Sequence, residues 1–339
     1  MKLSVRTLLS GRYGVRLFPL AIVACLLFGA GCGQRGDGRP ELPEVMIIQD
    51  KPAEWADAMK RGFADGLRVA GFEPGKDVQL IEQSAAGDAQ TLTGIAQGVR
   101  ARRPTLVFTL GTQASQAVFS AVKDTPILFG AVTDPVGAGF YDASLDKPLG
   151  DITGTQDIWP YEAQFDLIQR LLPRIRKLGV PFNPGEINSQ VSLSHIRRIA
   201  TARGIEVLEK PVASQSEVTP ATAALLEASV DAVFIPADNT LQTAASTVIA
   251  ACNARKIPVF TGISGIVENG ALATVGTNYY ELGRVNGQMA ARILKGETAR
   301  DIPVSTAKRG DIYINLKAAE LLGVKVPPEI VAEAFKVYR

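Results

Sequence analysis

The stretch Val230-Asp231-Ala232-Val233-Phe234-Ile235-Pro236-Ala237-Asp238-Asn239-Thr240 decides the fold. It opens as an apolar run of strand length. Pro236 ends the run, because proline has no N–H to give a sheet ladder. Asp238, Asn239 and Thr240 are helix N-cap types, and behind them Leu241, Ala245, Val248, Ile249 and Cys252 share one helical face. A carboxylate and an amide therefore stand where a buried strand hands over to a helix. In open α/β sheets that edge is where ligands bind. The same layout recurs at residues 105–116 and 127–135, so a cleft built from such strand ends is expected.

Working outward, strand and helix patterns alternate along the chain. A strand at 45–49 leads into a helix carrying Trp55, Met59, Phe63 and Leu67, which Gly71 ends. Strands at 78–82, 106–110 and 127–132 follow, each separated from the next by a helical pattern. This alternation predicts βαβ units and parallel sheets. The polar extended segment Thr153-Gly154-Thr155-Gln156-Asp157 breaks the rhythm and predicts a crossover into a second α/β unit. That unit takes strands at 177–181, 205–209 and 257–261 together with the opening stretch. Residues 271–275 read as a second crossover strand, followed by a helix over 279–294. Two α/β halves joined by more than one polar crossover describe a hinged two-lobe binding protein. The predicted boundaries are 44–155 with 274–305 for the first lobe, and 156–273 with 306–339 for the second.

The N-terminus stands outside the fold. Lys2, Arg6, Arg12 and Arg16 precede an apolar run at 17–28 that is too short to span a bilayer. Gly29-Ala30-Gly31-Cys32 then resembles the lipobox of a bacterial lipoprotein, with glycine where leucine is usual. The resemblance implies a signal peptide over 1–31, a lipid anchor on Cys32 and a polar tether over 32–43. Loss of the four basic residues of the signal takes the formal net charge from +2 to −2. A mildly acidic protein argues against a nucleic-acid partner. Cys25 lies in the signal, Cys32 is the anchor and Cys252 is alone on an apolar stripe, so the folded part has no cysteine pair for a disulfide.

Several segments carry a wider likeness. They are Gly62-Phe63 with Gly66-Leu67, Ala131-Val132-Thr133-Asp134-Pro135, Asn183-Pro184-Gly185-Glu186-Ile187-Asn188-Ser189, Pro236-Ala237-Asp238-Asn239 and Tyr279-Tyr280-Glu281-Leu282-Gly283. In order and spacing the chain resembles the substrate-binding lipoproteins of ABC importers, a family with tryptophan- and tyrosine-binding members. The resemblance implies a type I periplasmic-binding-protein fold: α/β, with two doubly wound parallel-sheet lobes on a multi-strand hinge. It also implies an amino acid, often aromatic, as ligand, ABC permease and ATPase subunits as partners, and an extracytoplasmic, membrane-anchored location. The segment 50–57, with Lys51 and Trp55, is longer than the family pattern and lines the expected cleft mouth.

An α-amino acid offers an ammonium, which seeks an anion, and a carboxylate, which seeks hydroxyls, amides and helix N-termini. Asp238 is the sequence's choice for the ammonium. Its capping role can coexist, since a carboxylate has two oxygens. Asn188 and Ser189, and Thr112 and Gln113 from the other lobe, suit the carboxylate or serve only as caps. Asn239, Thr133 and Asp157 join the candidate set. Asp134 and Asn183 stand as binding groups or as turn residues. Trp55 is either a stacking face for the ligand or core, and Trp159 and Tyr161 reach the cleft or pack beneath the hinge. No catalytic residue, metal or cofactor is expected: His195 is the single histidine, and no GxSxG, Walker A, GxGxxG, HExxH or CxxC occurs. A ligand-sensing accessory of a signalling receptor remains open beside the importer reading, and an α/β hydrolase is the distant alternative.

Overall fold

The computed structural model describes residues 42–306 and 310–339. The signal peptide, Cys32 and the tether up to residue 41 lie outside the described residues, as do 307–309. In chain order the first elements are β1 (Glu44–Gln49), α1 (Glu54–Val69), β2 (Gln79–Ser84), α2 (Ala89–Arg102), β3 (Leu106–Leu110), α3 (Thr112–Ala121), β4 (Ile127–Val132) and β5 (Ile152–Gln156). The second group is α4 (Tyr161–Leu171), β6 (Lys177–Phe182), α5 (Ile187–Ala202), β7 (Glu206–Pro211), α6 (Val218–Glu227), β8 (Ala232–Ile235), α7 (Asn239–Thr243), α8 (Ala245–Ala254), β9 (Val259–Thr261), α9 (Ser264–Glu268) and β10 (Ala273–Gly276). The chain ends with α10 (Tyr279–Leu294), β11 (Ser305–Thr306), β12 (Asp311–Asn315), α11 (Leu316–Leu322), α12 (Pro328–Glu333) and β13 (Lys336–Tyr338).

Two sheets result. The first has the order β11-β5-β4-β3-β1-β2, the second β13-β12-β10-β9-β8-β6-β7. Every pairing is parallel except β10 with β12. Central strands such as β3 and β8 are buried along their whole length, as strands covered by helices on both faces must be. Edge strands β2 and β7 are partly exposed. The chain passes between the sheets three times: after β5, after β10 and between β11 and β12. The sequence set the second passage at 273–274. The structure keeps β10 in the second sheet, where it pairs with β9 and β12, so the passage falls at 277–278. The single helix expected after Asp238 is two, with Ala244 between α7 and α8. Among the described residues no helix is long and apolar enough to cross a membrane.

One packing seam carries the cleft wall. Helices α1 and α10 cross through four glycines, Gly62 and Gly66 facing Gly283 and Gly287. A methyl group on Gly283 would run into the Met59 carbonyl, and one on Gly287 into that of Phe63. Backbones can approach this closely only without Cβ atoms. The seam brings Trp55 near the start of α1 and Tyr279 at the start of α10 to a ring separation of 5.5 Å. Because the obstacle is backbone, Gly287→Ala is expected to destabilise the fold by about 1–3 kcal/mol or more, as overpacking does. Thermal melting of the unliganded protein checks it, and an unchanged melting temperature would contradict the seam.

Candidate ligand-binding cleft

The carboxyl ends of the strands in both sheets meet across a chamber of ≈ 630 Å³. The first lobe supplies Asp50, Lys51, Trp55, Thr112 and Gln113, and the second Gln215, Asn239, Gln242, Ile263 and Asn269. Trp55, Gly111, Thr112, Asn239 and Gln242 also border a smaller recess of ≈ 30 Å³, whose other walls include Thr133, Asp157, Trp159, Asn188 and Tyr279. The recess has room for roughly one or two water-sized groups.

Asp157 occupies the recess where the chain leaves β5. Its Oδ1 accepts from the Thr133 hydroxyl at 3.2 Å and its Oδ2 from the Tyr279 hydroxyl at 3.1 Å. Tyr279 in turn accepts from Trp159 Nε1 at 3.2 Å. No cationic side chain is paired with Asp157 among the described residues. Desolvation outweighs the two hydroxyl hydrogen bonds and pushes its pKa up to about 7. A carboxylate held dry in a cleft and without a counter-charge marks a candidate functional group. The neighbouring backbone is adapted to this place. Ala131 takes a positive φ of 56° where β4 shifts register against β5, and a bulge of this kind re-aims the residues beyond it, here Thr133.

Trp55 is half-buried and borders both chamber and recess, so it is a cleft wall as well as part of the α1 stripe. Gly111 at the start of α3 has φ +83°, and a Cβ there would lie 3.3 Å from the indole ring. Helix α3 begins with no side-chain cap, and Thr112 and Gln113 at its first turn face the chamber. Its free N–H groups, with Lys51 nearby, form the donor side of the cleft.

The second lobe is organised by Glu186, which is buried at 4% exposure. Its carboxylate accepts from the backbone and side chain of both Asn239 and Thr240, with distances of 2.8, 2.8, 3.1 and 2.8 Å. Asn188 Nδ2 donates to it at 3.3 Å and to the Ala237 carbonyl at 2.7 Å.

The structure thus brings Trp55, Thr112, Gln113, Thr133, Asp157, Asn188 and Asn239 together around one cleft. Asp238, the sequence's choice for the ammonium, is placed differently. It is fully buried and borders neither chamber nor recess. Its Oδ1 caps α7 by accepting from Leu241 N at 2.8 Å, and its Oδ2 accepts from Asn183 N at 2.6 Å. Both oxygens serve the second lobe's own backbone, and burial with the nearby Glu186 charge raises its pKa to about 6. Asn183 and Ser189 belong to the same internal loop network. Asp134 makes a turn, its Oδ1 accepting from Val136 N and Gly137 N at 3.1 and 3.0 Å. Trp159 is buried and borders the recess. Tyr161 is buried too, bonds Ser192 Oγ at 2.7 Å and stacks on His195 at 5.1 Å. Sequence reading missed Tyr279, Gln242 and Glu186. Only Glu186 had a visible signal, a lone carboxylate in a loop of cap and turn residues.

Residues 44–338 match the family model for ABC transporter substrate binding proteins. The chain belongs to that family. It is 34% identical over 268 residues, 78% of this chain and 77% of the relative, to a tyrosine-binding protein of Clostridioides difficile (strain R20291). Among solved structures it is similar to an ABC domain in complex with L-Trp from Streptococcus pneumonia, at TM-score 0.83 and 30% identity, covering 87% of this chain and 99% of that one. It is also similar to the ligand-free, open structure of a Clostridium difficile substrate-binding protein with adhesive properties. There the TM-score is 0.69 at 33% identity, covering 88% and 99%. The two lobes are those of a type I periplasmic binding protein. Substrate-binding proteins of ABC transporters bind small-molecule ligands.

Proposed function

We propose that this substrate-binding protein captures an aromatic α-amino acid outside the cytoplasm and delivers it to an ABC permease and its ATPase. The observation that carries the reading is Asp157, a buried carboxylate with hydroxyl partners and no cation, in a recess the size of an ammonium group. In this reading the ammonium enters the recess and the body of the ligand lies in the chamber. The ring rests against Trp55, which offers an apolar face. The ligand carboxylate meets Thr112, Gln113 and the first turn of α3, with Lys51 at the mouth. The names of the relatives, one tyrosine-binding and one bound to L-Trp, support the ligand class.

Closure follows from the same division of groups. Lys51 Nζ reaches from the first lobe to the Asn239 carbonyl of the second at 2.9 Å, and the Glu54 carboxylate lies against Gly265 in α9. At closely matched identity and coverage, the likeness is higher to the L-Trp complex than to the ligand-free open form. A rigid rotation of one lobe lowers such a score without changing either lobe, so the arrangement here is read as the closed one. Anchoring through a lipid on Cys32 completes the proposal and would keep the captured ligand near the permease.

A panel of amino acids in a thermal-shift assay tests the ligand class. L-tyrosine, L-tryptophan or L-phenylalanine at about 100 times its Kd should stabilise the protein by about 2.7 kcal/mol, since only the folded state binds. Stabilisation by a polyol or sugar, with none of the three active, would contradict the reading.

A further inference from the structure

We infer that Glu186 is a positioning residue that sets the hydrogen-bond polarity of the second lobe's ligand-facing wall, and thereby the choice of an amine-bearing ligand. Glu186 itself borders neither chamber nor recess. It lies behind the wall and acts through two residues that do border it, Asn188 and Asn239.

An ionised carboxylate can only accept hydrogen bonds. Backbone N–H groups of Asn239 and Thr240 fix it in place at 2.8 and 3.1 Å. Any side-chain amide atom in contact with it must then be nitrogen, which settles how both asparagines are turned. Asn239 presents Nδ2 to Glu186 at 2.8 Å. Asn188 presents Nδ2 to Glu186 and to the Ala237 carbonyl, so both of its amide hydrogens are engaged inside the lobe. What Asn188 retains for the recess is its carbonyl oxygen alone, and Asn239 retains its carbonyl oxygen together with one hydrogen. Across the recess stands Asp157, also an acceptor. Three acceptors around one small space match the three N–H bonds of an ammonium. Asp157 and the Asn188 carbonyl offer no hydrogen to a carboxylate, the group that the sequence reading offered to Asn188 beside a capping role. The inference rests on the amino-acid reading above for the ligand's identity, while the polarity of the wall follows from Glu186 together with the Ala237 carbonyl.

Glu186→Gln is the test. Glutamine accepts at one oxygen and brings two hydrogens, so one side of the present donor set loses its acceptor: Asn239 N, Asn239 Nδ2 and Asn188 Nδ2 on Oε2, or Thr240 N, Thr240 Oγ1 and Asn183 Nδ2 on Oε1. With Nε2 in the place of Oε2, an asparagine amide turns and points N–H into the recess. Binding is measured by calorimetry for L-tyrosine and for its des-amino analogue 3-(4-hydroxyphenyl)propanoate, with melting curves of each unliganded protein. The wild type should prefer L-tyrosine, and Glu186→Gln should reduce that preference at least tenfold. Glu186→Asp keeps the acceptor character and should retain the preference even if both ligands bind less tightly. Should Glu186→Gln fail to fold, Asn188→Ala carries the test: it removes one acceptor and should weaken L-tyrosine at least tenfold more than the analogue. Equal weakening of both ligands in Glu186→Gln, or in Asn188→Ala, would overturn the inference by giving Glu186 a purely structural role. A wild type that prefers the des-amino analogue would overturn it as well. A wild type that binds neither ligand, nor any other aromatic amino acid, refutes the proposed function and this inference with it.

Discussion

Asp157→Ala is expected to weaken binding of L-tyrosine or L-tryptophan at least a hundredfold. Removing one partner of a buried ion pair costs about 3–5 kcal/mol, because the other charge stays desolvated and unpaired. Every 1.4 kcal/mol is about tenfold in affinity. Asp157→Asn should lose nearly as much, since it keeps the shape and the Thr133 and Tyr279 neighbours but not the charge. The unliganded protein should respond in the opposite sense. Above neutral pH Asp157→Asn is expected to melt at the wild-type temperature or higher, because it relieves a desolvated carboxylate that has no cation beside it. Asp238→Ala supplies the contrast. It removes the α7 cap and leaves the buried Asn183 N–H without that partner, so it should lower the melting temperature by the equivalent of about 1–3 kcal/mol. Affinity of the folded fraction should change only a few-fold. Calorimetric titration and melting curves on the three variants separate the two aspartates. An Asp157→Asn protein that binds like wild type would remove Asp157 from the site.

The second large effect is on pH. Burial pushes Asp157 up to about 7 in the unliganded protein, from an ordinary value of 3.8. An ammonium ligand requires the ionised form, so below about pH 7 binding must expel a proton. Affinity should then fall about tenfold for each unit of pH, reaching roughly a hundredfold between pH 7 and pH 5. Near pH 6 the titration should release close to one proton, visible as a dependence of the binding heat on the buffer. Stability of the unliganded protein runs the other way. Between pH 3.8 and about 7 the folded state holds a proton that the unfolded state has lost, so the Asp157 contribution to stability falls as pH rises through that window. Asp238, raised to about 6, adds to the same trend. Affinity that is flat from pH 5 to pH 8 would contradict the role given to Asp157.

Most of the fold was legible because its signals are local. Buried strands β3 and β4 read as apolar runs, and the ends of α10 fell where the pattern put them. The two-residue β11 and three-residue β13 were not legible: their place is decided by the partner strand, not by their own residues. β10 was assigned to the wrong side of a crossing for the same reason, since a short apolar strand does not encode which sheet receives it. In the cleft, residue types at strand ends led to Thr112, Thr133, Asp157, Asn188 and Asn239. They did not rank the two aspartates. Asp238 and Asp157 each follow a strand and each look like anions at a cleft edge. Only three dimensions show that backbone N–H groups engage both oxygens of one while two hydroxyls hold the other in a recess. Tyr279 lies 122 residues from Asp157 in sequence, and no local pattern relates them. Of the α1–α10 seam, Gly62, Gly66 and Gly283 stand in the family-like segments of the sequence, while Gly287 does not. The cause of the seam is the close approach that sets Trp55 beside Tyr279.

The central claim is that an amino acid's ammonium lies on Asp157 inside the closed cleft. A crystal structure of the complex with L-tyrosine, or with whichever aromatic amino acid binds most tightly, tests it most directly. The ligand nitrogen should lie within about 2.7–3.1 Å of an Asp157 carboxylate oxygen, with the ring against Trp55 and the ligand carboxylate at the start of α3. A ligand whose nitrogen faces Asp238 or solvent, or whose carboxylate occupies the recess beside Asp157, would contradict it.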